Sequence, residues 1–370
     1  MKIVSLKPEL TFDDILILPG KSNFPINEDH QKTDISTQVS KNLTIDTPLT
    51  SSPMPGITEV EMAITLGKMG GLGFLHPYQS NAQQIIQVQQ IKKHKVKLAV
   101  DISDITDKGL KYVGKLLKLG VDLISIETAQ AHNKQTLTFI KKIKKTYPKA
   151  EVCVALIVTE NSVKDLIKAG ADSIRVGIGG GSHCTTRLVT GIGRPQLTAI
   201  KKCSEISKKY NVPIISDTGI RYAGDIAKAL VFGADTVMIG GLFAGTDECP
   251  GDLIKKKGKY YKHSWGMCTQ EAWQKKKPWE LNFRSIERKA KDIIKDVILH
   301  QPTTYQKGFE EGVGGLIPYK GSVKPTIEKL NDGLRRAMWY VGAESIKDLR
   351  KKAQIVLVTP NTIPDNIPQI

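Results

Sequence analysis

The chain has 370 residues, 40% hydrophobic and 25% charged, which supports a sizeable core in one large domain or two ordinary ones. Its 54 Lys+Arg against 37 Asp+Glu give a formal charge of +17, but the excess is lysine in short clusters (Lys141-Lys142, Lys255-Lys256-Lys257, Lys275-Lys276-Lys277, Lys351-Lys352). Without interleaved aromatics or one arginine-rich stripe, that pattern argues against a nucleic-acid partner. Five scattered cysteines with no Cys-x-x-Cys exclude a disulfide framework and a zinc site, and no apolar run suits a signal peptide or membrane span, so a soluble, cytoplasmic chain with no membrane partner is expected.

From residue 47 onward, short apolar runs alternate with amphipathic stretches. Strands are predicted at 48–52, 71–75, 96–101, 123–127, 152–158, 173–177, 212–217 and 235–240. Near-continuous apolar runs are what strands covered on both faces look like. Between them the spacing predicts helices over 60–69, 82–91, 108–119, 134–145, 162–169, 196–209 and 223–232, several ending at Gly70, Gly120, Gly170 or Gly233. Eight strand–helix units point to an α/β fold, a (β/α)8 TIM barrel, rather than an open sheet. Residues 242–322 break the rhythm and read as a long hairpin and flap inserted after strand 8. A last helix is predicted near 325–340, and 360–370 reads as a loose tail. The whole of 1–370 is expected to be a single catalytic domain.

Chemistry in such a barrel sits at the carboxyl ends of the strands. The suspicious polar residues fall there: Ser52 and Met54 after strand 1, Asp101 after strand 3, Glu127 after strand 4, Asp217 after strand 7 and Gly240-Gly241 after strand 8. After strand 6 comes Val176-Gly-Ile-Gly-Gly-Gly-Ser-His-Cys-Thr-Thr-Arg187. Glycines 177, 179, 180 and 181 let the backbone approach a ligand, and Cys184 is a candidate thiolate nucleophile among hydroxyls and backbone donors. Asp217-Thr-Gly suits ribose hydroxyls with backbone amides on a phosphate, the lesser alternative being that Asp217 caps the next turn. His183 either faces inward and tunes the thiol or faces out as a loop histidine.

Further motifs complete an ordered set: Leu10-Thr-Phe-Asp-Asp14, Ser51-Ser-Pro-Met54, Gly70-Gly-Leu-Gly-Phe-Leu-His76, Thr190-Gly-Ile-Gly-Arg-Pro-Gln196, Ser216-Asp-Thr-Gly-Ile-Arg221, Gly266-Met267 and Glu311-Gly-Val-Gly-Gly-Leu-Ile-Pro-Tyr-Lys-Gly321. Over nearly its whole length the chain resembles the IMP dehydrogenase / GMP reductase family. The resemblance implies that Cys184 attacks purine C2 and that hydride passes between C2 and NAD, or NADP for a reductase. Thr186 matches the threonine near the reacting carbon. Ser182, Asp217, Gly219, Gly240 and Gly241 match ribose-phosphate positions, Ser52 and Met54 line the nucleotide pocket, and Gly266 and Met267 give backbone contacts to the base. Glu127 falls where the family usually has an aspartate facing the nicotinamide, with Gly177 and Gly179 nearby on the cofactor side. Gly179, Gly181 and Cys184 match carbonyls holding a monovalent cation, usually K⁺. A homotetramer acting on a small-molecule purine nucleotide is implied as well.

The departures bear on direction. The regulatory module pair usual after strand 2 in dehydrogenases is missing. Gln270 stands where reductases have a glutamate, with Glu271 one position on, while Glu311 matches a glutamate of dehydrogenases. No Arg-Tyr pair lies between Gly266 and Glu311, leaving Arg284, Arg288 and Tyr305 as a rearranged version. Gly241 leans toward the reductase, and Pro55-Gly56 replaces a usual aspartate. The expectation is an IMP dehydrogenase (IMP + NAD⁺ + H₂O to XMP + NADH). The alternatives are a GMP reductase and a nucleotide- or nucleic-acid-binding homologue that has lost catalysis.

Overall fold

The computed structural model describes residues 7–24, 33–128, 130–267, 269 and 311–359. Eight strands, β1 Leu49–Ser51, β2 Leu72–Leu75, β3 Leu98–Ile102, β4 Leu123–Glu127, β5 Val152–Ile157, β6 Ser173–Val176, β7 Ile214–Asp217 and β8 Thr236–Ile239, close into one barrel. Consecutive strands are parallel neighbours, and β8 pairs with β1 (Val237 opposite Leu49) to shut the ring. The fold is a (β/α)8 TIM barrel. β4 matches its apolar run residue for residue, and the other strands are one or two residues shorter than theirs, because the run continues into the turn at one or both ends.

The outer ring holds α1 Val60–Lys68, α2 Asn81–Lys92, α3 Asp107–Lys118, α4 Lys134–Thr146, α5 Glu160–Ala169, the short α6 Thr186–Thr190, α7 Gln196–Ser207, α8 Ala223–Val231 and α9 Lys324–Val341. Ser80, Thr106, Asn133 and Thr159 cap α2 to α5 by accepting a first-turn backbone N–H, a contact worth about 1 kcal/mol per helix. At the other end of α5, Gly170 takes φ 111°, the left-handed turn that sends the chain into β6.

Two apolar clusters result. The larger lies between strands and helices. The smaller fills the barrel's interior: Leu72, Phe74, Ala99, Leu123, Cys153, Ile215 and Met238, joined by Val39, Leu43 and Ile45 of a hairpin formed by Thr37–Ser40 and Leu43–Ile45. That hairpin plugs the barrel, and sequence periodicity did not reveal it, since each arm has only three or four residues. Also unanticipated are α10 Ile346–Lys352 and the antiparallel ribbon of Ile15–Leu18 with Gln354–Leu357, which ties one end of the chain to the other.

After β8 an antiparallel three-stranded sheet follows, β9 Leu253–Lys256, β10 Lys259–Trp265 and β11 Gly314–Pro318, with β10 in the middle. Gln270, Glu271, Arg284, Arg288, Tyr305 and the tail 360–370 lie outside the described residues. No helix among the described residues is long and apolar enough to cross a membrane.

Candidate active site

The glycine loop leaves β6 at Val176 and returns on itself before α6. Cys184 N donates to Gly181 O at 3.1 Å, folding the loop into a turn that presents the thiol. Cys184 Sγ lies 3.1 Å from Thr186 Oγ1, and Thr186 Oγ1 donates to Glu311 Oε2 at 2.7 Å. Because the threonine's one proton is committed to the carboxylate, the thiol must be the donor in the first contact. The two bonds therefore form a path from sulfur to carboxylate.

Backbone pairing fixes that geometry. Cys184 bridges Gly312 in antiparallel fashion, Thr185 N donates to Glu311 O (2.8 Å), Val313 N to His183 O (2.9 Å), and Gly266 N to Val313 O (3.1 Å). Residues 311–313 thus form a strap between the cysteine loop and the end of β10, bringing Gly266 against His183 and Gly312. Met267 follows it, half-buried. His183 itself is buried, with Nδ1 3.1 Å from Ser182 Oγ, and burial pushes its pKa down, so the ring is neutral near pH 7. It contributes no positive charge to the thiol.

The other expected residues gather in two groups beside this turn. A Cβ at Gly241 would come 2.7 Å from Ser182 Oγ, and one at Gly240 would meet Met54 Sδ and Ser52 Cβ at 3.5 Å, so Ser52, Met54, Ser182, Gly240 and Gly241 share one wall. On the other side, Gly177 lies directly under the Asp217 carbonyl, Gly179 packs on Arg187, and Gly180 faces Thr218. Thr218 and Gly219 both take positive φ, 96° and 86°. Such a value is an outlier for a β-branched residue, and the next residue, Gly219, faces the Phe12 ring. Gly181 joins the groups, being close to both Cys184 Cβ and Thr218 Cγ2.

Beneath the mouth lies a residue that the sequence reading passed over. Arg175, 2% exposed, projects from β6 across the barrel interior. Its Nε and Nη2 donate to Asp217 Oδ2 (3.0 and 2.7 Å), and its Nη1 to Asp101 Oδ2 (2.8 Å) and Glu127 Oε2 (2.7 Å). The guanidinium also lies 5.7 Å from the Phe74 ring centroid. Burial alone would pull its pKa down, but the three carboxyl groups outweigh that and keep it charged. Burial pushes the Asp217 carboxyl up and the Glu127 carboxyl well up, with Arg175 opposing in both cases and Asp101 adding to the rise at Glu127. So Asp217 and Glu127, expected on two different ligands, are held on one cation.

Residues 9–368 match the model of the IMP dehydrogenase / GMP reductase domain. The chain belongs to the IMP dehydrogenase / GMP reductase family. Within that family it is similar to inosine-5'-monophosphate dehydrogenases of Borreliella burgdorferi (32% identity, 98% of this chain and 97% of the relative) and Cryptosporidium parvum (34%, 96% and 94%). A third relative of that name, from Methanocaldococcus jannaschii, is 31% identical over an alignment of 484 positions covering 97% of this chain and 95% of the relative. This family member has only 370 residues, so at least 114 of those positions have no counterpart here. The run from β2 through α2 to β3 indeed leaves no room for an inserted module.

No cluster of three or more His, Cys, Asp or Glu able to hold a metal occurs among the described residues.

Proposed function

We propose that the protein is an IMP dehydrogenase that oxidises IMP to XMP with NAD⁺ through a covalent adduct on Cys184. The observation that carries the reading is the contact series Cys184–Thr186–Glu311, which places a carboxylate one hydroxyl away from the nucleophile. Such a series can take the thiol proton and later accept a proton from attacking water. Every curated relative cited above bears the dehydrogenase name.

In this reading Asp217 binds ribose hydroxyls, while Ser182, Gly219, Gly240 and Gly241 surround the phosphate; Ser52 and Met54 wall the pocket, and Gly266 and Met267 meet the base. Cys184 Sγ bonds to C2, and the oxidised nicotinamide, when bound, supplies the acceptor for the hydride leaving C2. Glu311 releases the thiol proton to solvent; water then attacks C2, the C–S bond breaks with Cys184 leaving as the thiolate, and Glu311, through Thr186, takes the water's proton. The Glu127 carboxyl suits a dinucleotide's ribose and carboxamide, and in this reading Gly177, against the Asp217 carbonyl, and Gly179, against Arg187, give the loop backbone on the cofactor side. In this reading the carbonyls of Gly179, Gly181 and Cys184 would supply the hard oxygens that K⁺ prefers, Gly181 O already accepting one N–H from Cys184. Leu188 (88% exposed) and Ile192 (59%) on and after α6 leave apolar surface beside the nucleophile, supporting a homotetramer that covers it. A cytoplasmic location fits these soluble reactants.

Gly241 favours a second reading, a GMP reductase converting GMP and NADPH to IMP, ammonia and NADP⁺. Purified protein mixed with IMP and NAD⁺ should increase nicotinamide absorbance. A decrease with GMP and NADPH would instead establish the reductase. No change in either, with nucleotide binding intact, would leave a binding protein that has lost catalysis and overturn both.

A further inference from the structure

Asp101 has no part in the chemistry above, yet it is fully buried in the barrel. It sits at the fourth position of β3 and faces the interior, where side chains from the strands normally fill the space with apolar groups. A carboxylate there is costly to desolvate, and a single partner seldom offsets that cost. Nor is its charge needed. Asp217 and Glu127 already supply two carboxyl groups for one guanidinium, and Asp101 makes three. Its Oδ1 moreover has no hydrogen-bond partner while buried. An apolar residue would serve the core better.

What Asp101 does supply is direction. Arg175 Nη1 carries two protons; one goes to Asp101 on β3 and the other to Glu127 on β4. On the opposite edge of the same plane, Nε and Nη2 converge on Asp217 of β7. Without Asp101 the guanidinium would keep its grip on Asp217 but could pivot about that edge, and Nη1 would lose its fixed bearing on Glu127. We propose that Asp101 is a positioning residue that holds the Arg175 plane and so couples Glu127 to Asp217 as one unit, setting the cofactor and nucleotide subsites at a fixed relation. The inference rests on the ribose-binding reading of Asp217 and the cofactor reading of Glu127.

The test uses the full chain with Asp101→Ala, Asp101→Asn, Glu127→Gln, Asp217→Asn and the Asp101→Ala/Glu127→Gln double variant, assayed with IMP and NAD⁺. Asp101→Ala should raise KM for both reactants about tenfold, whereas Asp101→Asn, which keeps an acceptor for Nη1, should recover most of that. The double variant should be no worse than Glu127→Gln alone.

A pH profile gives a readout that loss of packing would not move. The ionisable groups facing Glu127 and Arg175 are Asp101, Asp217 and Cys153. In Asp101→Asn the anion beside Glu127 is gone, so the limb governed by Glu127 should move to lower pH. If Asp101→Ala lowers Tm but leaves both KM values within twofold, or if the double variant is additive, the coupling is overturned. If Asp101→Ala does not fold, an unmoved limb in Asp101→Asn overturns it. Should Glu127→Gln and Asp217→Asn themselves leave both KM values unchanged, the ribose and cofactor readings fall, and the coupling with them. If they raise KM while the Asp101 variants do not, only the coupling falls.

Discussion

Thr186→Val removes one hydroxyl and keeps the volume, so it cuts the path between Cys184 and Glu311 with little else disturbed. The residue is half-buried at the start of α6, and the swap should alter stability by less than about 1 kcal/mol. What is lost is a charge-assisted bond of 2.7 Å to Glu311 and the 3.1 Å contact with the thiol. Such a bond to a charged group is worth about 2–3 kcal/mol, which corresponds to roughly 30- to 160-fold in a step that depends on it. The hydrolytic step depends on it most, because the thiol can lose its proton to solvent before IMP closes the site, whereas the attacking water's proton reaches Glu311 only through Thr186. Rapid mixing of IMP and NAD⁺ with the variant should therefore show a burst of nicotinamide absorbance close to one per site, then slow turnover. Acid-quenched protein should carry the purine adduct by mass spectrometry. Thr186→Ser should restore most of the rate, and Glu311→Gln should resemble the valine variant. Steady-state turnover within threefold of the parent, or a burst lost in proportion to turnover, would refute the relay.

Three further outcomes follow from the same geometry. Cys184→Ala should abolish turnover with IMP binding by calorimetry retained within about threefold, since the thiol makes a bond rather than a binding contact; residual turnover above background would remove the covalent step. Among the four described cysteines, an alkylating agent should modify Cys184 first and IMP should protect it, because Cys153 and Cys203 are fully buried with burial raising both thiols to about 12. Peptide mapping that finds Cys153 modified earlier would contradict the packing of the barrel interior. Glu127→Gln should stabilise the protein by about 1 kcal/mol at pH 8, a rise of about 2 °C, while impairing cofactor use. The sign comes from linkage: burial raises the folded carboxyl's pKa well above its unfolded value of about 4.3, so the folded state keeps a proton that the unfolded chain releases, and this group's contribution falls as pH rises through that window. The gap between variant and parent should shrink toward pH 4; a gap that widens on acidification would show that Arg175 holds Glu127 ionised instead.

The barrel was legible because each strand is covered on both faces and reads as an apolar run, and the glycines that end helices mark where each unit turns over. The nucleophile loop was legible because glycines and a cysteine at the end of β6 are local in sequence. The strap at 311–313 was legible only as a motif: nothing in its spacing says that Glu311 lies one hydroxyl from a thiol 127 positions earlier, since that contact depends on how β10 and β11 fold back over the mouth. The plug hairpin escaped for a related reason, its arms being too short to show a period of two.

Arg175 is the more instructive omission, because a signal for it was present. Within the eight barrel strands it is the sole lysine or arginine, embedded in Ser173-Ile-Arg-Val176 among residues that read as core. Asp101, Glu127 and Asp217 stand at the ends of three other strands of the same barrel. Strands of a closed barrel point alternate side chains into a common interior, so three acids near one end must either be protonated, reach water, or share a cation. Only one cation was available from the strands themselves. Treating the acids as separate ligand contacts, strand by strand, hid the constraint that they compete for a single guanidinium. That constraint ties the β3, β4 and β7 ends together, and it makes the site one electrostatic unit rather than a set of independent loops.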